Sequence, residues 1–193
     1  EIISGVYEEG THNILPVENC YVEDEKAAAI IRTFAELIKS FKLQIYNEDT
    51  GTGLIRHLQI RVGRKTGQIM VIIVTASPVF PSKKNLANAL VTAHPEITTV
   101  VQNINDRTDS LVLGSKYQVL WGKGYIVDRL CGCSFKISPG SFYQVNPIQA
   151  QKLYEKAIEL ADLTGKETVV DAYCGTGTIG MIAAMITISI CIV

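Results

Sequence analysis

The sequence predicts an α+β domain followed by the start of a Rossmann-like α/β domain. Helical spacing alternates with strand-like runs over the first part of the chain, in an order typical of α+β folds. Near the C-terminus a helix, a short apolar strand and a glycine-rich loop follow one another, as at the start of a doubly wound fold. With 47% hydrophobic and 19% charged residues, the 193-residue chain can bury a core. We place the boundary near Ile137, so the expected domains are residues 1–136 and 137–193.

The first domain is predicted to contain a mostly antiparallel sheet and two helices. Asp24 is a candidate N-cap for the first helix, and Gly63 to Gly67 predicts a hairpin turn between two strands. In the strand before that turn, alternation places Leu58 on one side and Ile55 and His57 on the other. The predicted elements are a helix over 24–42, strands over 54–62 and 68–76, a helix over 82–93, and strands over 97–104, 116–121 and 125–136.

The second domain is predicted to open with a helix from Pro147 to Ala161. Its apolar face contains Leu153 and Leu160, and proline is well suited to the first turn of a helix. The apolar run from Glu167 to Ala172 predicts a short buried strand that leads directly into the glycine-rich loop.

Charge is segregated along the chain. Residues 1–50 carry ten acidic and four basic side chains, whereas residues 51–95 carry six basic side chains and no acidic one. A basic segment of this kind is typical of a polyanion-binding face, and the alternative is a set of solvated faces that are basic by chance. The six basic residues are Arg56, Arg61, Arg64, Lys65, Lys83 and Lys84.

Five cysteines without CxxC spacing indicate a reducing, cytoplasmic location and no disulfide scaffold. The sequence shows no signal peptide pattern. The uncharged run over 179–193 is shorter than the roughly 20 apolar residues that span a bilayer. We therefore expect no membrane partner, and we interpret this run as a premature end of the domain. We also expect a monomer.

The glycine-rich loop is the most specific chemical signal in the sequence. Gly175, Gly177 and Gly180 satisfy GxGxxG between a strand and a helix, where the backbone can approach a ligand closely. Asp171 ends the strand, and its negative charge is unsuited to the pyrophosphate of a nicotinamide dinucleotide. The charge suits the cationic amino acid end of S-adenosylmethionine, reached directly or through water. A nicotinamide cofactor and a turn without a ligand stay open as alternatives.

A second candidate segment, SFYQVN, lies at 141–146. Phe142 and Tyr143 can stack on a nucleobase or on adenine, and the amides of Gln144 and Asn146 can hydrogen-bond a base edge or a methionine carboxylate. The alternative is that Phe142 and Tyr143 only form a hydrophobic seam between the domains.

Together, SFYQVN and the DAYCGTG segment at 171–177 resemble the paired motifs of the RNA uracil-5-methyltransferase family, whose members modify tRNA and 23S ribosomal RNA. Two upstream segments are similar as well. GLIRHLQIR at 53–61 resembles the arginine–histidine strand of the family's central domain, and GTHNILPVENC at 10–20 resembles the segment that enters that domain. The resemblance extends from Gly5 to Ala184.

This resemblance implies S-adenosylmethionine as the cofactor and RNA as the substrate. The implied cofactor-binding residues are Gln144, Asp171, Tyr173, Gly175, Gly177 and Thr178, and the implied RNA-facing residues are Arg56, His57 and Phe142. Cys20 falls where iron–sulfur members place the last of four cluster cysteines, which implies a 4Fe-4S cluster in the full-length protein. The alternative for Cys20 is a plain buried cysteine. Cys20 and the LIRHLQIR strand favour 23S ribosomal RNA over tRNA.

In this family a cysteine thiolate attacks uracil C6, C5 takes the methyl group, and a later acid–base residue removes the C5 proton. The resemblance places both residues in the C-terminal part of the methyltransferase domain, outside this chain. Cys174 is not the nucleophile because it lies in the cofactor loop. We therefore expect a truncated enzyme that is inactive by itself and binds its cofactor weakly. A nicotinamide-dependent oxidoreductase fragment and a noncatalytic RNA-binding module stay open as alternative functions.

Overall fold

The structure is a computed structural model that describes residues 2–11, 13–17, 23–109 and 111–192. It divides into two compact units. Residues up to Val62 together with Gln68–Tyr125 form the first unit, and Gly63–Gly67 together with the chain from Ile126 onward form the second. This division falls before the expected boundary at Ile137, because the segment from Ile126 to Ile137 packs against the helix that follows it.

The first unit is an α+β arrangement, as the sequence predicts. Its elements are β1 (Gly5–Tyr7), β2 (Ile14–Pro16), α1 (Glu25–Ser40), β3 (Ile55–Val62), β4 (Ile69–Thr75), α2 (Lys83–Ala93), β5 (Ile97–Ile104) and β6 (Lys116–Gly122). Four strands form one mixed sheet in the order β3-β4-β5-β6. The outer pairs are antiparallel, whereas β4 and β5, which α2 connects, are parallel. The strands β1 and β2 form a separate antiparallel hairpin.

Both helices of the first unit pack on one face of this sheet. Asp24 caps α1 as predicted, and its carboxylate accepts the backbone N–H of Lys26 at 3.0 Å. At helical spacing, α1 buries Ile30, Phe34 and Ile38. The same buried cluster contains residues of α2 and of the inner strands, namely Leu86, Ala87, Leu90, Ile69, Val71, Ile73, Ile97 and Val100. In the strand order of the sheet, β3 is an edge strand.

A bulge interrupts the start of β3. The register with β4 shifts between Ile55 and His57, so Arg56 has no partner in the ladder. As a consequence, Ile55 lies in the same buried cluster as Leu58. The prediction that Ile55 shares a side with His57 was therefore wrong, because the two-residue period of a strand holds only where no residue is inserted.

The second unit contains the turn Gly63–Gly67, β7 (Ile126–Leu130), β8 (Cys133–Ile137), α3 (Pro147–Ala161), β9 (Thr168–Asp171), α4 (Thr178–Ala183) and β10 (Ser189–Ile192). The single strand predicted over 125–136 is a two-stranded hairpin instead. Cys131 and Gly132, with φ angles of 48° and 80°, reverse the chain between β7 and β8. Only Gly132 marks this turn in the sequence, and the apolar residues around it continue the strand pattern.

The last three elements form a parallel βαβ unit. β10 pairs with β9 in parallel register, from Ser189 opposite Thr168 to Ile192 opposite Asp171. The uncharged run over 179–193 is the segment interpreted above as a premature end of the domain. In the structure, this run supplies most of α4 and all of β10. Two parallel strands joined by a helix are the building block of doubly wound folds.

Helix α3 buries a different face from the one predicted. Asn146 caps its start with its side chain, and Pro147 occupies the first turn as expected. Pro147 and Ala150 are buried, whereas Leu153 and Leu160 are 63% and 73% exposed. The periodicity identified an apolar stripe, but the residues that the structure describes do not cover it.

A fully buried carboxylate on β7, that of Asp128, holds the turn Gly63–Gly67 in place. Its Oδ1 accepts the backbone N–H groups of Lys65 at 3.0 Å and Thr66 at 3.3 Å. The hydroxyl of Thr66 donates to the carbonyl of Val127 at 2.6 Å. These bonds make the turn a fixed part of the second unit, although it lies about sixty residues earlier in the chain.

We predict that Asp128→Ala lowers the free energy of unfolding by about 2 kcal/mol, because two backbone N–H groups lose their acceptor. Asp128→Asn keeps the Oδ1 acceptor and is expected to cost less. Urea unfolding followed by circular dichroism measures both variants. Asp106→Ala, at an exposed carboxylate, is the control and should stay within about 0.5 kcal/mol of the unaltered protein. Equal effects at the two positions would contradict the structural role of Asp128.

Candidate functional site

The glycine-rich loop between β9 and α4 is a series of left-handed backbone positions. Tyr173, Gly175 and Gly177 have φ angles of 59°, 58° and 71°, a conformation that glycine adopts without strain. The N–H of Gly177 donates to the carbonyl of Cys174 at 2.8 Å and closes the turn. The hydroxyls of Thr176 and Thr178 lie 2.9 Å apart and share a hydrogen bond. The loop is therefore compact and held by its own hydrogen bonds.

Asp171 ties this loop to the helix that follows. It is 8% exposed, and its Oδ2 accepts the backbone N–H of Gly180 at 2.9 Å. A Cβ at position 180 would lie 2.7 Å from that oxygen, so only glycine fits so close to the strand end. Through this hydrogen bond, one oxygen of Asp171 holds α4 against β9. The sequence did not suggest this role.

The loop offers room for a ligand on its outer side. Among the residues that the structure describes, and apart from Gly175 and its two chain neighbours, no atom lies within 4 Å of the position that a Cβ on Gly175 would occupy. The Tyr173 side chain is 100% exposed. An open backbone beside an exposed aromatic ring can accommodate a flat adenine-like group. Asp171 adds a buried carboxylate next to the loop. These residues fit S-adenosylmethionine, which combines an adenine with a cationic amino acid end.

The SFYQVN segment gives its two aromatic residues different environments. Phe142 is 69% exposed, whereas the Tyr143 ring packs against Phe135 with 6.1 Å between ring centroids. Burial, and secondarily the charge of Asp128, raises the pKa of Tyr143 to about 12. Gln144 is half-buried. Of the two aromatics, Phe142 is the exposed one, whereas Tyr143 packs inside the second unit.

In the first unit, Arg56 and His57 line a cleft of about 520 Å³. Its other lining residues come from the β1–β2 connection, the segment before β3 and the β5–β6 connection: Glu8, Glu9, Gly10, Thr11, Glu48, Asp109, Leu111 and Val112. Four of these are carboxylates. The cleft is thus more acidic than the basic sequence around Arg56 predicted.

The Arg56 side chain makes its contacts within the first unit. Its side chain is 3% exposed, and its Nη1 donates to the backbone carbonyls of Asn105, at 3.1 Å, and Arg107. Its guanidinium lies 4.5 Å from the ring centre of Tyr46 and 3.8 Å from Glu48. These contacts fix the β5–β6 connection against β3, so Arg56 positions the wall of the cleft.

His57 is half-buried beside Arg56. Burial lowers the pKa of His57, and the positive charge of Arg56 lowers it further, against a smaller opposing effect of Glu48. The imidazole is therefore neutral at neutral pH. A neutral imidazole can hydrogen-bond an uncharged group, but it adds no positive charge for a phosphate.

The six basic residues of the 51–95 segment lie in different surroundings. Arg56 is buried, and Lys83 donates to Gln118 Oε1 at 2.7 Å. Arg64, Lys65 and Lys84 are exposed, and Arg61 is half-buried. The six residues therefore differ in exposure, and the polyanion-binding face that the composition suggested stays a prediction.

The described residues hold no group of three or more His, Cys, Asp or Glu side chains that could bind a metal ion. Cys20, the predicted fourth ligand of a 4Fe-4S cluster, lies outside the described residues, and its role stays a prediction. Within the described ranges, no helix has the length and apolarity needed to cross a bilayer.

An α+β unit and a βαβ unit with a glycine-rich loop are consistent with a methyltransferase fold. The structure is similar to that of the tRNA (uracil-54, C5)-methyltransferase of Pyrococcus abyssi, solved in complex with S-adenosyl-L-homocysteine, with a TM-score of 0.77 and 26% identity. The likeness covers 92% of this chain and 42% of that protein. No protein-family model matches the chain.

Sequence comparison relates the chain to proteins named as uncharacterized RNA methyltransferases. It is 44% identical over 177 residues to one from Clostridium tetani and 45% identical over 177 residues to one from Clostridium acetobutylicum, covering 92% of this chain and 38% of each relative. It is 41% identical over 183 residues to one from Halalkalibacterium halodurans, covering 95% of this chain and 40% of the relative. The chain therefore spans about two fifths of the length of these relatives.

We predict that Gly180→Ala lowers the free energy of unfolding by about 1–3 kcal/mol, although alanine favours helices, because its Cβ collides with Asp171 Oδ2. Asp171→Ala removes the colliding oxygen, so the same change should cost much less in that background. Urea unfolding of the four proteins in this double-mutant cycle measures the coupling. Additive effects would contradict the proposed collision.

We predict that Arg56→Lys lowers the free energy of unfolding by about 1–3 kcal/mol, because an ammonium group cannot replace a guanidinium that donates to two carbonyls. Hydrogen exchange should show faster opening of the segment between Asn105 and Gly114. Arg32→Lys on the exposed side of α1 is the matched control and should change neither quantity. Unchanged exchange in the Arg56 variant would contradict its role in holding this segment.

Proposed function

We propose that this chain is the central domain and the cofactor-binding start of an S-adenosylmethionine-dependent methyltransferase that modifies C5 of a uridine in RNA. The observation that carries the proposal is the presence of SFYQVN and DAYCGTG in one compact unit of a methyltransferase fold. Relatives named RNA methyltransferase and the likeness to a tRNA uracil C5 methyltransferase support it.

The cofactor supplies an electrophilic methyl group, and the residues of this chain bind and orient it. In our proposal, Tyr173 with its exposed ring and Gly175 with its open backbone would hold the adenine end of the cofactor. Asp171 holds α4 in place through Gly180 and supplies negative charge near the amino acid end. Gln144 contributes an amide from the SFYQVN segment.

The uracil-binding and nucleophilic steps need groups that we do not assign to this chain. Burial raises the pKa of the Cys131 thiol, which disfavours the thiolate that an attack on uracil C6 requires. Cys174 lies within the cofactor loop. In this chain, Phe142 is the residue whose exposure suits it to stacking on a base of the substrate RNA.

We propose 23S ribosomal RNA as the substrate of the whole protein. The support is the resemblance of the LIRHLQIR strand and of Cys20 to the ribosomal RNA branch of the family. The structurally similar protein from Pyrococcus abyssi is named for tRNA, so tRNA is the competing substrate. Competition between 23S ribosomal RNA and tRNA for binding to the chain separates the two.

We predict that S-adenosylhomocysteine, but not NADH, raises the melting temperature of the chain, because the acidic strand end disfavours a pyrophosphate. Weak binding is expected, so the ligand is titrated to millimolar concentration and the affinity is confirmed by calorimetry. Gly177→Val should abolish binding, since valine is strained at a φ of 71° and its side chain would stand in the loop.

Gly10→Val is the matched control, because Gly10 has a φ of 72° and lies in the first unit with no atom near its Cβ position. It carries the same backbone strain and should leave S-adenosylhomocysteine binding unchanged. Stabilisation by NADH alone would replace our proposal with an oxidoreductase function, and RNA binding without either ligand would favour a noncatalytic RNA-binding module.

A further inference from the structure

We propose that the outer face of the β7–β8 hairpin, together with the turn Gly63–Gly67, is a contact surface for the phosphate backbone of the substrate RNA. This inference rests on the proposed function, because it takes RNA as the substrate. It adds Arg129 and Lys136, which lie outside both the motifs and the basic 51–95 segment, to Arg64 and Lys65 of that segment.

Along the hairpin, buried side chains alternate with exposed basic ones. Asp128 and Leu130 on β7 and Phe135 on β8 are buried. Arg129 on β7 and Lys136 on β8 alternate with them and are exposed. In the ladder, Arg129 is two residues from Val127, which is the direct partner of Lys136. The two cations therefore lie diagonally across the same outer face.

The turn brings two more cations to the edge of this hairpin. Arg64 and Lys65 are exposed. The turn that carries them is bound to β7 through the Asp128 carboxylate and through the hydrogen bond from Thr66 to the Val127 carbonyl. Because these contacts hold the backbone, the two cations have a fixed base from which to reach a phosphate.

The turn and the hairpin contribute no exposed carboxylate of their own. Across the turn Gly63–Gly67 and the hairpin from Ile126 to Ile137, Asp128 is the only acidic residue, and it is fully buried beneath the turn. These two segments thus carry four basic residues and no exposed acid of their own, a composition that favours a positive potential and attracts a polyanion.

An exposed aromatic follows the cations along the chain. β8 ends at Ile137, and the SFYQVN segment then presents Phe142 with 69% of its surface exposed. Cations that contact phosphates, followed by an aromatic that stacks on a base, are the usual components of a surface for unpaired RNA. The cleft in the first unit has the opposite character, since four carboxylates line it.

The test compares the unaltered chain with an Arg129→Glu, Lys136→Glu double variant. Binding to a fluorescein-labelled RNA hairpin with uridines in its loop is measured by fluorescence anisotropy over a range of salt concentrations. We expect at least about a tenfold loss of affinity at low salt, and a fall of about 1.5 in the slope of log K against log salt for two lost phosphate contacts.

The matched control is an Arg32→Glu, Lys84→Glu double variant, which makes the same charge change at exposed positions of α1 and α2. It should retain most of the affinity and the full salt slope. A third variant, Arg129→Lys with Lys136→Arg, preserves the charge and should bind as the unaltered chain does. Circular dichroism checks that all variants are folded.

Equal losses of affinity in the two charge-reversal variants, or no loss in the hairpin variant, would overturn the proposal. So would an absence of RNA binding by the unaltered chain. S-adenosylhomocysteine binding is measured on the same samples and should not change in the hairpin variant. If that binding is present while the RNA result is negative, the surface assignment fails and the proposed cofactor function stands.

Discussion

The carboxylate of Asp128 is the contact on which much of the second unit depends. One of its oxygens accepts two backbone N–H groups of a turn that lies far away in the chain, and the residue itself is fully buried. A buried charge is costly unless hydrogen bonds compensate it, so this carboxylate and the turn stabilise each other. On the same strand, alternation then places Arg129 outward. The buried carboxylate that holds the turn and the exposed Arg129 therefore lie on opposite faces of β7.

A second carboxylate has a similar role at the cofactor loop. Asp171 accepts the N–H of Gly180, and the absence of a side chain at that glycine permits the approach. Glycine at 175 and 177 serves a different purpose, because the backbone there is left-handed. The three glycines of the GxGxxG pattern therefore satisfy two constraints, the shape of the loop and the close packing of helix on strand.

The charge distribution of the structure differs from that of the sequence. The segment richest in basic residues contributes Arg56 to the interior, where it holds the β5–β6 connection. The cleft beside it is lined by carboxylates. The second unit contains Arg64 and Lys65 of that same segment, together with Arg129 and Lys136 of the β7–β8 hairpin. Clustering in space, and not along the chain, decides where a polyanion is attracted.

The sequence by itself determined the features that depend on neighbouring residues. Helical spacing with the Asp24 cap, the turn Gly63–Gly67, and the strand that leads into the glycine-rich loop all follow from local propensity and period. The paired SFYQVN and DAYCGTG motifs could also be identified, because each occupies a short continuous stretch.

Only the tertiary structure decided the features that join distant residues. The bulge at Arg56 depends on the register with β4, and the turn at Cys131 depends on the pairing of β7 with β8. The buried position of Arg56 and the contact of Asp128 with the turn depend on partners about fifty and sixty residues away. Local pattern carries no information about such partners, because burial and hydrogen bonding are set by what folding brings together.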